Sequence, residues 1–200
     1  MKKYFRLLRV RHYIKNALIL LPVLFGKALF DVNIITDILL SFVSFCALSS
    51  AVYIFNDLCD AKADRLHPVK SKRPVASGEI SQKSAVVMIF VMLAVCVCAN
   101  FFAGGTMLIP WLLLAEYLLQ NILYSVKLKQ IPLLDIAILA SGFVIRVFYG
   151  SAISGIAVSK WLYLTVIAVS FYLGLGKRRN ELALLEENET RSVLKHYSYN

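Results

Sequence analysis

The chain has 200 residues, 59% of them apolar and 17% charged, with a mean hydropathy of +0.69. A soluble domain carries about 45–50% apolar and about 25% charged residues, and one this small needs more polar cover than this sequence supplies. That composition excludes an ordinary soluble domain. The 22 Lys and Arg against 12 Asp and Glu, placed between apolar runs, point to anionic lipid and anionic substrate rather than nucleic acid.

Crossing a bilayer takes about 20 apolar residues in a helix. Six stretches meet or approach that length: 14–30, 34–54, 84–102, 107–124, 133–153 and 161–175. The predicted fold class is therefore all-α, a polytopic helical transmembrane bundle. The first stretch is the weakest, holding Pro22 and ending near Lys27. Its basic leader imitates a signal peptide, but no clean small-x-small site follows and comparable runs continue down the chain, so it is read as a span. With the N-terminus inside, every Lys and Arg except Lys27, Lys160 and Arg146 falls in an inside segment. This is the distribution cytoplasmic loops carry. The expected location is the inner (plasma) membrane, multi-pass, with the N-terminus and the functional loops cytoplasmic. Cys46, Cys59, Cys96 and Cys98 lack metal-ligand spacing and read as small apolar fillers.

The informative segment follows the second run, Asn56-Asp57-Leu58-Cys59-Asp60-Ala61-Lys62-Ala63-Asp64-Arg65. On a helix Asp57, Asp60 and Asp64 fall within about 60° of arc. Three carboxylates on one stripe repel strongly unless a cation lies among them. Hard oxygen ligands at that spacing suit Mg²⁺, which commonly bridges protein carboxylates to substrate phosphates. The next residues include His67, Pro68, Lys70, Lys72, Arg73, Pro74 and Gly78. The prolines and glycine break the helix, leaving Arg65, Lys70, Lys72 and Arg73 on a loop or short helix where they can meet phosphate oxygens. His67 is read as a capping or packing residue.

These residues resemble the first motif of the UbiA superfamily of intramembrane prenyltransferases. The run Asp64-Arg65, His67-Pro68, Lys70, Arg73-Pro74, Ala76, Gly78 is similar to the branch of decaprenyl-phosphate phosphoribosyltransferase. Further matches follow in order: Arg9, Tyr13, Lys15-Asn16; Tyr124-Ser125, Leu128-Lys129, Asp135; Ala140-Ser141-Gly142-Phe143-Val144, Arg146; and Gly176-Lys177-Arg178-Arg179, Glu181-Leu182. The resemblance implies Mg²⁺-dependent transfer of 5-phosphoribosyl from phosphoribosyl diphosphate to a polyprenyl (decaprenyl) phosphate, for cell-envelope polysaccharide precursors. Asp57, Asp60 and Asp64 would then be the catalytic, metal-holding residues. The implied substrate-binding set is Asn56, Lys15, Arg65, Lys70, Arg73, Tyr124, Lys129, Arg146, Lys177, Arg178 and Glu181.

Superfamily members carry a second Asp-rich motif after the sixth span. This chain has Lys177-Arg178-Arg179-Asn180-Glu181 there, which suits a phosphate-bearing substrate better than a second metal cluster. Members also have about nine spans, so residues 1–200 are read as a single membrane-embedded domain cut after the sixth, a fragment of a longer protein in preference to a bundle whose missing wall another chain supplies. The polar residues inside the apolar runs have bland readings too. Tyr124 and Lys129 could anchor at the headgroup level, Arg146 could pair with Glu116, and Gln120 and Asn121 could hydrogen-bond between helices or line the cavity. Two other functions stay open: an aromatic prenyltransferase using a prenyl diphosphate, and a non-enzymatic transporter or scaffold. Expected partners are the two phosphorylated substrates and membrane lipids, with self-association open.

Overall fold

The computed structural model describes residues 2–28, 30–104, 107–126, 128 and 134–183, all helix or connection with no strand among them. In chain order the elements are α1 (Lys2–Leu8), a 3-10 segment (Val10–Leu20), α2 (Leu21–Phe25), α3 (Val32–Leu66), a short 3-10 turn (Lys70–Lys72), α4 (Gln82–Phe102), α5 (Leu108–Val126), α6 (Leu134–Ser154) and α7 (Lys160–Ala183). The predicted fold class holds. Among the described residues three helices are long and apolar enough to cross a membrane, Val32–Leu66, Gln82–Phe102 and Ile136–Ser154, with Lys160–Gly176 a shorter apolar helix.

Helix α3 is the axis of the bundle and packs on α1, the 3-10 segment, α4, α5 and α6. The run Ser44-Phe45-Cys46-Ala47-Leu48-Ser49-Ser50-Ala51 is buried throughout. Small side chains let neighbouring backbones approach closely, which matters in a bilayer where apolar burial gives no drive between helices. Ser44 Oγ accordingly donates to the carbonyl of Cys96 on α4 at 2.9 Å. Asp31 caps α3, its carboxylate accepting from the backbone N–H of Asn33 and Ile34, a device worth about 1 kcal/mol. The other end stops at Leu66, where Nδ1 of His67 accepts from the N–H groups of Val69 and Lys70 and turns the chain. The capping role expected for His67 is thus met. At 35 residues α3 is about 52 Å long against a hydrocarbon core of about 30 Å. The helix therefore carries the acidic stripe well past its apolar run.

Around α3 the core joins Ile19, Phe45, Leu48, Leu114, Tyr117 and Tyr149. A second cluster, including Leu7, Ile54, Ala61, Val75, Ile80 and Ala85, fastens α1 and the basic loop to the acidic end of α3. Helix α4 leaves Val87, Phe90, Val97, Phe101 and Phe102 exposed. Their composition suits a face turned to lipid tails.

One expectation needs correcting. The stretch 14–30 does not form a single spanning helix; it is a 3-10 segment followed by the five-residue α2. A 3-10 helix repeats every three residues and rarely runs this long. The result is that Tyr13, Asn16 and Ile19 line one stripe facing the bundle, half-buried, buried and buried respectively. An α-helical winding would fan the same three side chains apart. The segment lies hard against α6 because Gly150 has no side chain: a β-carbon there would lie 2.0 Å from the carbonyl oxygen of Ile19.

Candidate active site

The acidic stripe lies on the last turns of α3 as the helical reading required. Asp57 is 2% exposed and Asp64 is 4% exposed; Asp60, between them, is half-buried. A carboxylate removed from water stays ionised only with counter-charge close by. Here the counter-charge is arginine. Arg73 Nη1 lies 3.2 Å from Asp57 Oδ1 and 2.7 Å from Asp64 Oδ2, so a single guanidinium bridges two buried carboxylates about two helical turns apart. Arg9 Nη2 lies 2.5 Å from the same Asp57 oxygen. Among the described residues no group of three acidic, His or Cys side chains is gathered as a metal-ligand set. The cation that the acidic stripe demands is supplied by the protein itself.

Two pieces of local structure aim these arginines. The Pro74-Val75-Ala76 stretch is buried, which pins the loop carrying Arg73 beneath α3. Arg9 separates α1 from the 3-10 segment in the left-handed backbone region, φ 51° and ψ 45°. That region costs an L-residue about 1–2 kcal/mol. The cost is offset by the Asp57 ion pair and by stacking of the guanidinium over Tyr53, 4.9 Å from its ring centroid. The N-terminal helix and the loop are also tied to each other, by an ion pair of Arg6 with Glu79.

The remaining predicted residues divide into three groups. Asn56 and Lys70 are half-buried near the stripe, while Arg65 is exposed and its Nε donates to the carbonyl of Ala76 at 3.2 Å, bracing the loop. Tyr124 is half-buried near the end of α5. Lys15 and Arg146 lie apart from the carboxylates, on the 3-10 segment and α6. Lys129 lies outside the described residues, and so do the side chains of Lys177, Arg178 and Glu181, although α7 runs through their positions.

Arg146 is 4% exposed and does not pair with Glu116, which is exposed on α5. Instead its Nε donates to Asn16 Oδ1 at 2.8 Å, Nη2 to the Tyr117 hydroxyl at 3.1 Å, and Nη1 to the Gly142 carbonyl one turn earlier. Its guanidinium lies 4.8 Å from the centroid of Phe45 and 5.0 Å from that of Tyr117. The pairing with Glu116 fails because Arg146 is buried inside the bundle while Glu116 is exposed on its surface. Gln120 bridges helices as expected, its Oε1 accepting from Ser141 Oγ at 2.6 Å, whereas Asn121 donates within its own helix to Tyr117.

The bare geometry is a buried pair of carboxylates under a basic loop, at one end of a helical bundle with membrane-length helices. The profile of the UbiA prenyltransferase family matches residues 19–176. The chain belongs to that family. It is 33% identical over 195 residues to the decaprenyl-phosphate phosphoribosyltransferase of Corynebacterium glutamicum, covering 96% of this chain and 58% of that protein. It is 34% identical over 185 residues to the protein of the same name from Mycobacterium tuberculosis, covering 90% of this chain and 60% of the relative. The chain thus spans somewhat less than two thirds of the length of the curated relatives it matches. A solved UbiA homologue from Archaeoglobus fulgidus, bound to GPP and Mg²⁺, superposes with a TM-score of 0.75 at 22% identity, covering 90% of this chain and 64% of that one. As a UbiA-family chain with membrane-length apolar helices, this is an integral membrane protein.

Arg9 is the residue of this UbiA-family site that composition hides. It is one of six cations before residue 16, indistinguishable from ordinary positive-inside charge. The resemblance includes Arg9 among its matches without a role, and the left-handed turn and the contact with Asp57 give it one.

Proposed function

We propose that the protein transfers a 5-phosphoribosyl group from phosphoribosyl diphosphate to a polyprenyl phosphate, releasing diphosphate. The observation that carries this reading is the buried Asp57–Arg73–Asp64 bridge at the end of α3. The similarity to two decaprenyl-phosphate phosphoribosyltransferases supports it.

Asp57, Asp60 and Asp64, with Asn56 beside them, carry hard oxygens on one stripe without being gathered as a ligand set, and they would hold Mg²⁺ in place of the guanidinium that now stands between the two buried members. Magnesium, when bound, supplies charge neutralisation for the departing diphosphate. The chain's own residues do the rest. Arg73, released from the carboxylates, can hold phosphate oxygens in a forked contact, with Arg65, Lys70, Lys129, Lys177 and Arg178 as further phosphate ligands from the loop and the later helices. Tyr124 and Glu181 complete the set around the donor. An oxygen of the lipid phosphate forms the new bond to ribose C1 as the C1–O bond to diphosphate breaks, and the electron pair leaves on diphosphate. The attacking phosphate is already anionic and needs no general base.

Membranes carrying the protein, incubated with ribose-labelled phosphoribosyl diphosphate, decaprenyl phosphate and Mg²⁺, are expected to move label into the lipid phase. Labelled prenyl diphosphate captured by an aromatic acid, with no ribose label in lipid, would replace this reading by an aromatic prenyltransferase. Neither product would leave a transporter or scaffold. The functional end of the bundle is expected on the cytoplasmic side of the inner membrane, where the substrate diphosphate is soluble.

A further inference from the structure

Arg146 presents a charge problem that its hydrogen bonds do not solve. Among the described residues no carboxylate lies within ion-pair distance of it. Three neutral acceptors take one N–H each, and two of the five N–H groups of a guanidinium remain over. A buried charge with only neutral partners is costly in a membrane protein. A second cation aggravates it. Lys15 Nζ lies 6.0 Å from the centroid of the Phe143 ring, and Arg146 Cζ lies 5.9 Å from the same centroid. Lys15 is also within electrostatic reach of both Arg146 and Arg9. Tyr53, stacked under Arg9, feels Arg146 as well. Three cations therefore run from the acidic end of α3 into the bundle. Of the three, only Arg9 pairs with a carboxylate among the described residues.

The scaffold holds this arrangement in place. Asn16 is buried and held from both ends of its amide: its Oδ1 accepts from Arg146 and Ser49, and one N–H of its Nδ2 donates to Cys46 Sγ at 3.1 Å. The 3-10 repeat that buries Asn16 leaves Lys15, one residue earlier, exposed and turned towards Phe143. We propose that Lys15 and Arg146 form a second anion site, separate from the Asp57–Asp64 site, that takes a phosphate monoester between them against the faces of Phe143 and Tyr117. The inference rests on the transferase reading above and assigns its second phosphate. Two monoesters take part in that reaction, the lipid head and the 5-phosphate of the ribosyl donor, and they share this recognition chemistry.

The test uses the protein in membranes and purified in detergent. Lys15→Gln removes a cation whose ammonium contacts the Phe143 ring and no hydrogen-bond acceptor among the described residues, so folding is spared. Arg146→Lys keeps charge but loses the fork. Each is expected to raise KM by roughly tenfold or more for one monoester substrate, the loss of one charged contact. A rise for polyprenyl phosphate assigns the lipid head, and a rise for phosphoribosyl diphosphate assigns the 5-phosphate. Unchanged KM for both substrates in both variants would overturn the site, and a purely structural role would lower folded yield while leaving KM alone. Farnesyl phosphate, added without donor or metal, gives a readout independent of turnover. It, or ribose 5-phosphate added in the same way, is expected to raise the thermal midpoint of the wild-type protein and not of Lys15→Gln; equal shifts in the variant, or none in the wild type with either monoester, would contradict the proposal. Should the wild type transfer no label to lipid, the transferase reading falls, and the monoester shift alone decides the anion site.

Discussion

Asp57→Asn is expected to lower label transfer to lipid by about 100-fold or more while the protein still inserts and purifies as a folded species. Asparagine keeps the shape of the side chain and one oxygen, so packing around a residue that is 2% exposed is preserved. What disappears is the charge that holds Arg9 on one side and Arg73 on the other. Arg73 keeps Asp64 as a partner, which limits the structural damage. The fall should appear in kcat as well as in the Mg²⁺ concentration for half-activity, because a metal ligand acts on the departing diphosphate in the transition state. Wild-type kcat in Asp57→Asn would remove the carboxylate from the chemistry.

The second large effect concerns the arginine that stands where a metal would. Arg73→Gln leaves Asp57 and Asp64 without their shared counter-ion, and a divalent cation becomes the available replacement. Opposite unit charges about 4 Å apart attract by a few kcal/mol near a protein surface, so even a fraction of that shift is large. Mn²⁺ binding followed by electron paramagnetic resonance on the purified protein, without substrate, is expected to tighten by roughly tenfold or more. Turnover should nonetheless fall, because the same guanidinium is proposed to hold diphosphate oxygens once the carboxylates release it. Tighter metal with slower chemistry separates this account from one in which Arg73 merely braces the loop. Unaltered Mn²⁺ affinity would mean that guanidinium and metal do not compete.

The parts of this arrangement legible in the sequence are those governed by local periodicity. The apolar runs announce a helical membrane bundle, and the 57-60-64 spacing places three acids on one helix stripe before any coordinates exist. His67 and Pro68 mark the end of α3 because capping and the missing proline N–H are local effects. The unread parts depend on contacts distant in sequence. Stretch 14–30 looks like an ordinary short span; its 3-10 winding is tied to Gly150, where α6 accepts the Ile19 backbone at a distance no side chain would permit. Arg9 enters the resemblance without a role until Asp57, 48 residues on, gives its left-handed turn a purpose. Arg146 invites a pairing with Glu116 by depth alone, and only packing shows Asn16, from 130 residues earlier, as its partner.

The most direct test is the metal dependence of the transfer reaction itself. Membranes stripped of divalent ions with a chelator, then given ribose-labelled phosphoribosyl diphosphate and decaprenyl phosphate, should leave the lipid phase unlabelled, and added Mg²⁺ should restore label in the wild type but not in Asp57→Asn. Undiminished labelling in the chelator would contradict the claim that the carboxylates at the end of α3 work through a divalent ion.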